Sequence, residues 1–257
     1  MGVWTVEKEG RVAIMTMDKP PLNLIHLDDI LEMAENLGAL RDDPEVGAII
    51  MTGTGKTFIG GADISSFEQI DSAVTAKYVL QAGQRILRDM ETMEKPVIAA
   101  INGFTFGGGC EVALACDIRI CNEYAKFGQL EINYGVMPGW AGTQRLTKIV
   151  GLGRAKDLVL TGRIVDAQEA LMMGLVSRVV PAGSMMDEAK EVARLLASKA
   201  PVAMALAKEA VNAAAEASIP LGGALEAAVC AITFATEDSR EGVKAFLEKR
   251  DPDFKGR

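Results

Sequence analysis

Three short, almost uninterrupted apolar runs, Val12–Met17 (VAIMTM), Gly47–Thr52 (GAIIMT) and Val97–Ile101 (VIAAI), limit what this chain can fold into more than any other feature. A strand with one face in water alternates apolar and polar residues; a strand apolar at every position is buried on both faces. Burying both faces of a sheet requires layers on either side of it. Between the runs, residues 27–40 carry Ile30, Leu31, Ala34 and Leu37 at the three-and-four spacing of a helix face, with Asp28 and Asp29 suited to its first turn. A second helical pattern covers residues 72–93 and stops before Lys95-Pro96, where proline disfavours continuation. Strands alternating with helices predict an α/β core.

From about residue 190 the chain changes to alanine-rich helix, as in residues 202–215 and 225–234, with Pro201 and Pro220 as punctuation. The expected organisation is a core over 1–189 and a helical C-terminal domain over 190–257. A chain of 257 residues with 49% hydrophobic content has the material for both. Its net charge of −8 offers no general attraction for nucleic acid or an anionic membrane surface. Cys110, Cys116, Cys121 and Cys230 lack the spacing of a disulfide framework or a zinc site, which suits a reducing cytoplasm. No targeting segment or membrane span is expected from Met1–Gly10 or from any apolar run. His26 is the only histidine, which removes most histidine-based triads and histidine-rich metal sites from consideration, and His26 itself reads as structural. Chemistry must come from carboxylates and backbone dipoles.

Two glycine motifs are decoys. Gly53–Thr57 (GTGKT) resembles a phosphate-binding loop but has Ile50 where that loop needs its first glycine, and Phe58 breaks the dinucleotide fingerprint. The informative stretch is Pro96–Asp117, an apolar strand followed by Gly107-Gly108-Gly109 and a helix-compatible segment. Such a turn lets a ligand approach the backbone, and a helix start presents unpaired N–H groups to developing negative charge. Read alone, Glu111 is a partner for the helix dipole and Glu131 an exposed residue beside a strand.

Together with Phe58–Ile64 (FIGGADI), Phe127–Ile132 (FGQLEI), Pro138–Leu146 (PGWAGTQRL), Pro21-Leu22-Asn23 and Gly242–Lys255, the triple glycine resembles the crotonase, or enoyl-CoA hydratase/isomerase, family over nearly the whole chain. The resemblance implies an α/β, crotonase-like spiral of ββα repeats with a C-terminal helical domain that assembles trimers or dimers of trimers. It implies an oxyanion hole made by the N–H groups of Ala62 and Gly108, catalysis by Glu111 and Glu131, and a Gly139 N–H orienting the pair. In a two-glutamate hydratase one carboxyl is ionised and one protonated; Glu111, near a helix start, is expected to be the ionised base and Glu131 the acid.

The implied substrate is an acyl-CoA thioester, with CoA part of the substrate and no further cofactor or metal. Its contacts are expected from Lys56, Gly60, Ala62, Asp63, Ile64 and Gly108, and from Lys249 and Lys255, some across a subunit boundary. Trp140 and Ala141 stand where relatives carry small residues, so Trp140 either narrows the acyl site or packs at a subunit contact. The rival activities are hydration of a cyclic enoyl-CoA and double-bond isomerisation on the same scaffold. A non-catalytic RNA-binding relative is disfavoured, because residues 72–93 mix Lys77, Arg85 and Arg88 with Asp89 and Glu91.

Overall fold

A computed structural model describes residues 2–257. The chain opens with a hairpin, β1 (Trp4–Glu9) and β2 (Val12–Met17), whose turn uses Gly10 at φ 59°, a backbone region that favours glycine. Helix α1 (Leu27–Asp42) follows. Three ββα turns come next: β3 (Ala48–Gly53), β4 (Thr57–Ile59) and α2 (Ala73–Thr92); β5 (Val97–Ile101), β6 (Phe104–Phe106) and α3 (Gly108–Ala115); β7 (Ile118–Asn122), β8 (Lys126–Gly128) and α4 (Gly142–Val150). Each turn gives its first strand to a six-stranded sheet and its second to a four-stranded one. After α5 (Leu152–Thr161), β9 (Val165–Asp166), α6 (Ala167–Met172) and β10 (Arg178–Val180), the sheets are complete, ordered β1-β2-β3-β5-β7-β10 and β4-β6-β8-β9. This is the spiral of ββα repeats.

The middle of the large sheet, β2, β3 and β5, is buried on both faces, as its sequence requires, while the edge strand β1 is mostly exposed. Ile49, Met51, Val97, Ala99 and Ile101 point into the core shared with the helices and the small sheet. Their neighbours Ala48, Ile50, Ile98 and Ala100 point the other way and are covered by Met185, Ala189, Val192 and Ala193 of α7 (Met185–Ala197). The expected boundary at residue 190 therefore falls inside a helix of the core and is corrected. The alanine-rich composition of α7 resembles that of the tail, but small side chains are what let a helix lie close on a sheet.

The separate helical segment begins at α8 (Pro201–Ala214) and continues through α9 (Ile219–Phe234) and α10 (Glu237–Glu248). No single helix among the described residues is long and apolar enough to cross a membrane. One ion pair ties α8 to the core: Lys208 Nζ lies 2.8 Å from Asp117 Oδ2 and 3.2 Å from the Lys95 carbonyl, and Asp117 also accepts the Val97 N–H at 2.7 Å. Burial pushes the Asp117 carboxyl up, against the pull of Lys208. Breaking a buried pair from one side leaves an uncompensated charge, so Lys208→Met is expected to lower unfolding stability by about 3–5 kcal/mol. Chemical denaturation at fixed protein concentration measures it; a loss under about 1 kcal/mol would class this as a surface-like pair.

Candidate active site

Strands β4, β6 and β8 run parallel and end at the same edge of the small sheet, so three distant segments of chain leave it side by side. The carboxyl ends of parallel strands are where ligands bind in open α/β sheets. The loop after β4 holds Ala62, the turn after β6 leads into α3 with Gly108 and Glu111, and the segment after β8 carries Gln129 and Glu131. Gly107 N–H donates to the Gly128 carbonyl at 2.9 Å, which locks the second exit to the third.

The first loop is pinned by the Pro21–Asn23 region. Gly60 N–H donates to Leu22 O at 2.9 Å, Asp63 N–H to Ile25 O at 3.0 Å, and Ile25 N–H to Gly61 O at 2.9 Å. Buried Asn23 spans the loop's base, donating to Thr57 O at 2.8 Å. What remains is the Ala62 N–H, which has no partner among the described residues, and the same is true of the Gly108 N–H. Each free donor follows a glycine at positive φ, 116° at Gly61 and 50° at Gly107, and these glycines turn the next peptide out of its ladder. The two turns touch: a Cβ on Gly107 would stand 3.9 Å from Gly61 Cα. Two unpaired N–H groups on adjoining turns can together stabilise an oxyanion.

Glu111 lies on α3, 2% exposed. Its Oε1 accepts two backbone N–H groups, from Trp140 and Gly142, each at 2.7 Å. They converge because Ala141 between them is left-handed, at φ 69°. A left-handed alanine costs about 1–2 kcal/mol, and the bonds on either side hold it there. The donors to Glu111 are thus Trp140 and Gly142; the Gly139 N–H, expected to orient the pair, has no partner among the described residues, and the Gly139 carbonyl accepts from Gln84 Nε2 at 2.8 Å. Glu131 begins a 3-10 turn (Glu131–Tyr134) and is half-buried. With its amide nitrogen toward Glu131, buried Gln129 donates to Oε1 at 3.0 Å and Oε2 at 3.2 Å. The pair is compact: a Cβ on Gly142 would stand 2.7 Å from both Glu111 Oε1 and the side-chain amide of Gln129, and one on Gly107 3.2 Å from Glu131 Oε1.

Burial raises both carboxyls into the neutral range. Glu111 is pushed up to about 8 by burial and by the charge of Glu131, against the two N–H bonds and Arg145. Glu131 is pushed up to about 6, again by burial. The helix start alone would make Glu111 the more acidic member, and its near-complete burial works against that. Between these values the two carboxyls together hold one proton, and the titration steps belong to the pair.

Residues 7–257 match the family described as Enoyl-CoA hydratase/isomerase. The chain belongs to the enoyl-CoA hydratase/isomerase family. It is 44% identical to the short-chain-enoyl-CoA hydratase of Clostridium acetobutylicum over 95% of this chain and 94% of that one. It is 43% identical to the crotonyl-CoA hydratase of Syntrophomonas wolfei over 97% of this chain and 96% of the relative. The crystal structure of an enoyl-CoA hydratase from Bacillus anthracis superposes with a TM-score of 0.94 at 35% identity, covering 99% of this chain and 100% of that one.

Within this family member, Ala62, Gly108, Glu111 and Glu131 come together; of the other expected contacts, Gly60, Asp63 and Ile64 share the loop of Ala62, whereas Lys56, Lys249 and Lys255 lie elsewhere on the chain's surface. Asp63 spends its carboxylate on Ser65 N–H at 3.0 Å and on His26 Nε2 at 3.0 Å, giving the lone histidine a structural place beside the loop. Ile64 starts the following 3-10 turn and is 46% exposed. Lys56 sits exposed at the opposite end of β4. Lys249 closes α10, and Lys255 lines a cavity with Arg11 and Lys199 at the starts of β3 and β5, the far end of the sheet. Gln129, Gly142 and the Trp140 amide were missed as site groups, since nothing in their spacing announces a hydrogen bond across the fold. Trp140 itself is 8% exposed within its own chain, which rules out a subunit contact as its main packing. Its ring lies between Gly83 of α2 and Gly108, where added Cβ atoms would stand 2.4 and 3.0 Å from it.

Replacing Gly108 by proline removes one of the two unpartnered N–H groups, at the first position of a helix, where proline is otherwise tolerated. Gly108→Pro is expected to lower kcat by about 10²–10³-fold with helix content unchanged by circular dichroism. A folded variant with parental turnover would take the oxyanion role away from this turn.

Proposed function

We propose that this enoyl-CoA hydratase adds water to a short trans-2-enoyl-CoA through one proton shared between Glu111 and Glu131. The observation that carries the reading is a pair of carboxyls raised into the neutral range beside two unpartnered N–H groups. The thioester oxygen accepts from Ala62 and Gly108, which stabilise the charge that gathers there as the double bond is attacked. The water oxygen bonds to Cβ while its proton passes to Glu111, and Glu131 delivers its own proton to Cα, giving a 3-hydroxyacyl-CoA. Atoms and charge balance with no redox partner, and CoA enters as part of the substrate. Assignment of the base to Glu111 is supported by its Oε1, where two donors already in place meet the new charge. A cyclic enoyl-CoA and a double-bond shift remain the rival reactions on this scaffold. Retention of both glutamates supports hydration over the shift.

We propose a short acyl group because the Trp140 ring borders Gly108 and so walls the site beside the oxyanion donor. The names of the Clostridium and Syntrophomonas relatives accord with this. We also propose assembly of copies, as a trimer or a dimer of trimers, over the apolar surface of α9 and α10, where Ile219, Phe234 and Phe246 are 91%, 75% and 82% exposed. In such an assembly Lys249 and Lys255 serve the CoA of a neighbouring subunit. The four free thiols accord with a reducing cytoplasm.

Activity should follow a bell in pH. Below the lower step both carboxyls are protonated and no base remains; above the upper step both are ionised and no acid remains. With steps at about 6 and about 8, kcat is expected to peak near neutrality. Glu111→Gln and Glu131→Gln should each lower kcat by about a hundredfold or more. Hydration of crotonyl-CoA, followed by loss of conjugated-thioester absorbance, checks both; near-parental turnover in either variant removes that residue from the pair.

Trp140→Ala should raise kcat/KM for octenoyl-CoA relative to crotonyl-CoA by about tenfold or more, the scale of a few methylene-sized pocket contacts. An unchanged chain-length ratio in a folded, normally assembled variant would take Trp140 out of specificity.

A further inference from the structure

The residue behind the catalytic loop is Arg145, on α4 and 8% exposed. Its Nη1 donates to the Trp140 carbonyl at 2.9 Å and its Nη2 lies 3.2 Å from Glu91 Oε2 at the end of α2. The Trp140 carbonyl belongs to the peptide lying between the two N–H donors that grip Glu111. Holding that carbonyl fixes the plane of the middle peptide, and with it the directions of the amides before and after it. Nothing else bonds this carbonyl among the described residues.

Several observations make packing alone a poor account of Arg145. Its Nε is buried without a partner among the described residues, an expense an apolar side chain would avoid. Ala141 is held in a left-handed conformation that needs an outside restraint. A planar guanidinium fork holds the carbonyl and the carboxylate through two different nitrogens in a fixed relative geometry, whereas a lysine would meet both through one freely rotating ammonium. Glu91 is itself fixed: Arg88 Nη1 lies 3.4 Å from it, and Asn212 of α8 donates to its backbone carbonyl at 2.9 Å. The charged groups facing Glu111 are then Glu131 from one side and Arg145 from the other.

We propose that Arg145, anchored by Glu91, is a positioning residue that holds the Trp140–Gly142 loop in the one arrangement that presents two N–H donors to Glu111. It does not touch substrate; it acts through the Trp140 peptide. The inference rests on Glu111 being a catalytic carboxyl, and parental turnover together with Glu111→Gln tests that separately.

The test uses Arg145→Met, Arg145→Lys, Glu91→Gln and the double variant Arg145→Met with Glu91→Gln, assayed on crotonyl-CoA across pH, with thermal unfolding as a control. Arg145→Met is expected to lower kcat by about tenfold or more with little change in KM, because loosened positioning costs rate before binding. Loss of the cation favours the neutral Glu111 carboxyl, so the limb of the bell nearer its raised value of about 8, the basic one, moves to higher pH. Arg145→Lys keeps the charge and restores the limb with only part of kcat. The double variant should lose no more than Arg145→Met alone, as expected of residues acting as one unit. The proposal is overturned by a folded Arg145→Met with parental kcat and an unmoved limb, by a loss that only tracks the unfolded fraction, or by losses that multiply in the double variant. If Arg145→Met does not fold, Arg145→Lys and Glu91→Gln decide: parental kcat and pH profile in both overturns it.

Discussion

One buried oxygen, Glu111 Oε1, organises the site. It takes two backbone N–H groups from a segment 29 and 31 residues further along the chain, and those bonds hold α3 to the start of α4. A carboxyl this deeply buried would ordinarily be neutral and inert. The two donors make its ionised form accessible, while burial keeps the neutral form within reach, so the group can change charge near neutral pH. A surface glutamate would stay ionised, and an unassisted buried one would stay protonated.

The rest of the fold explains how such a group can be held. The spiral sends every second strand to the small sheet, so chain exits after residues 59, 106 and 128 end at one edge. The middle of the large sheet behind them is packed on both faces and gives the exits little freedom to move. Left-handed backbone at Gly61, Gly107 and Ala141 then aims three sets of N–H groups inward. Helix packing contributes directly as well: Gly83 is a helix-interior glycine, usually unfavourable by about 0.5–1 kcal/mol, and its missing Cβ is what admits the Trp140 ring.

Electrostatic strain is concentrated on this side of the molecule. Glu111, Glu131 and Arg145 are charged groups in apolar surroundings, linked through peptide groups, and Arg145 leaves a nitrogen unpartnered. The opposite pattern holds on the exposed surface of α9 and α10, where large apolar side chains face outward with no burial inside one chain. The core supplies the rigidity that the first arrangement needs, and the second is the surface over which assembly is proposed.

Much of this was legible in the chain itself. Apolar runs with no polar interruption dictated strands buried on both faces, and β2 and β5 match them residue for residue. Periodicity and proline located α1 and α2, and ordered motifs named Ala62, Gly108, Glu111 and Glu131. The strands of the small sheet were not legible, because three residues carry no periodicity, and the residue-190 boundary failed because α7 and the tail share a composition. The raising of both glutamate carboxyls, the Trp140 and Gly142 donors, and the place of Gln129 and Arg145 were decided by tertiary structure alone. Each depends on desolvation or on a hydrogen bond between segments brought together only when the sheets form. Pattern along a chain reports how each segment meets water; the energy of a buried charge depends on what other segments surround it.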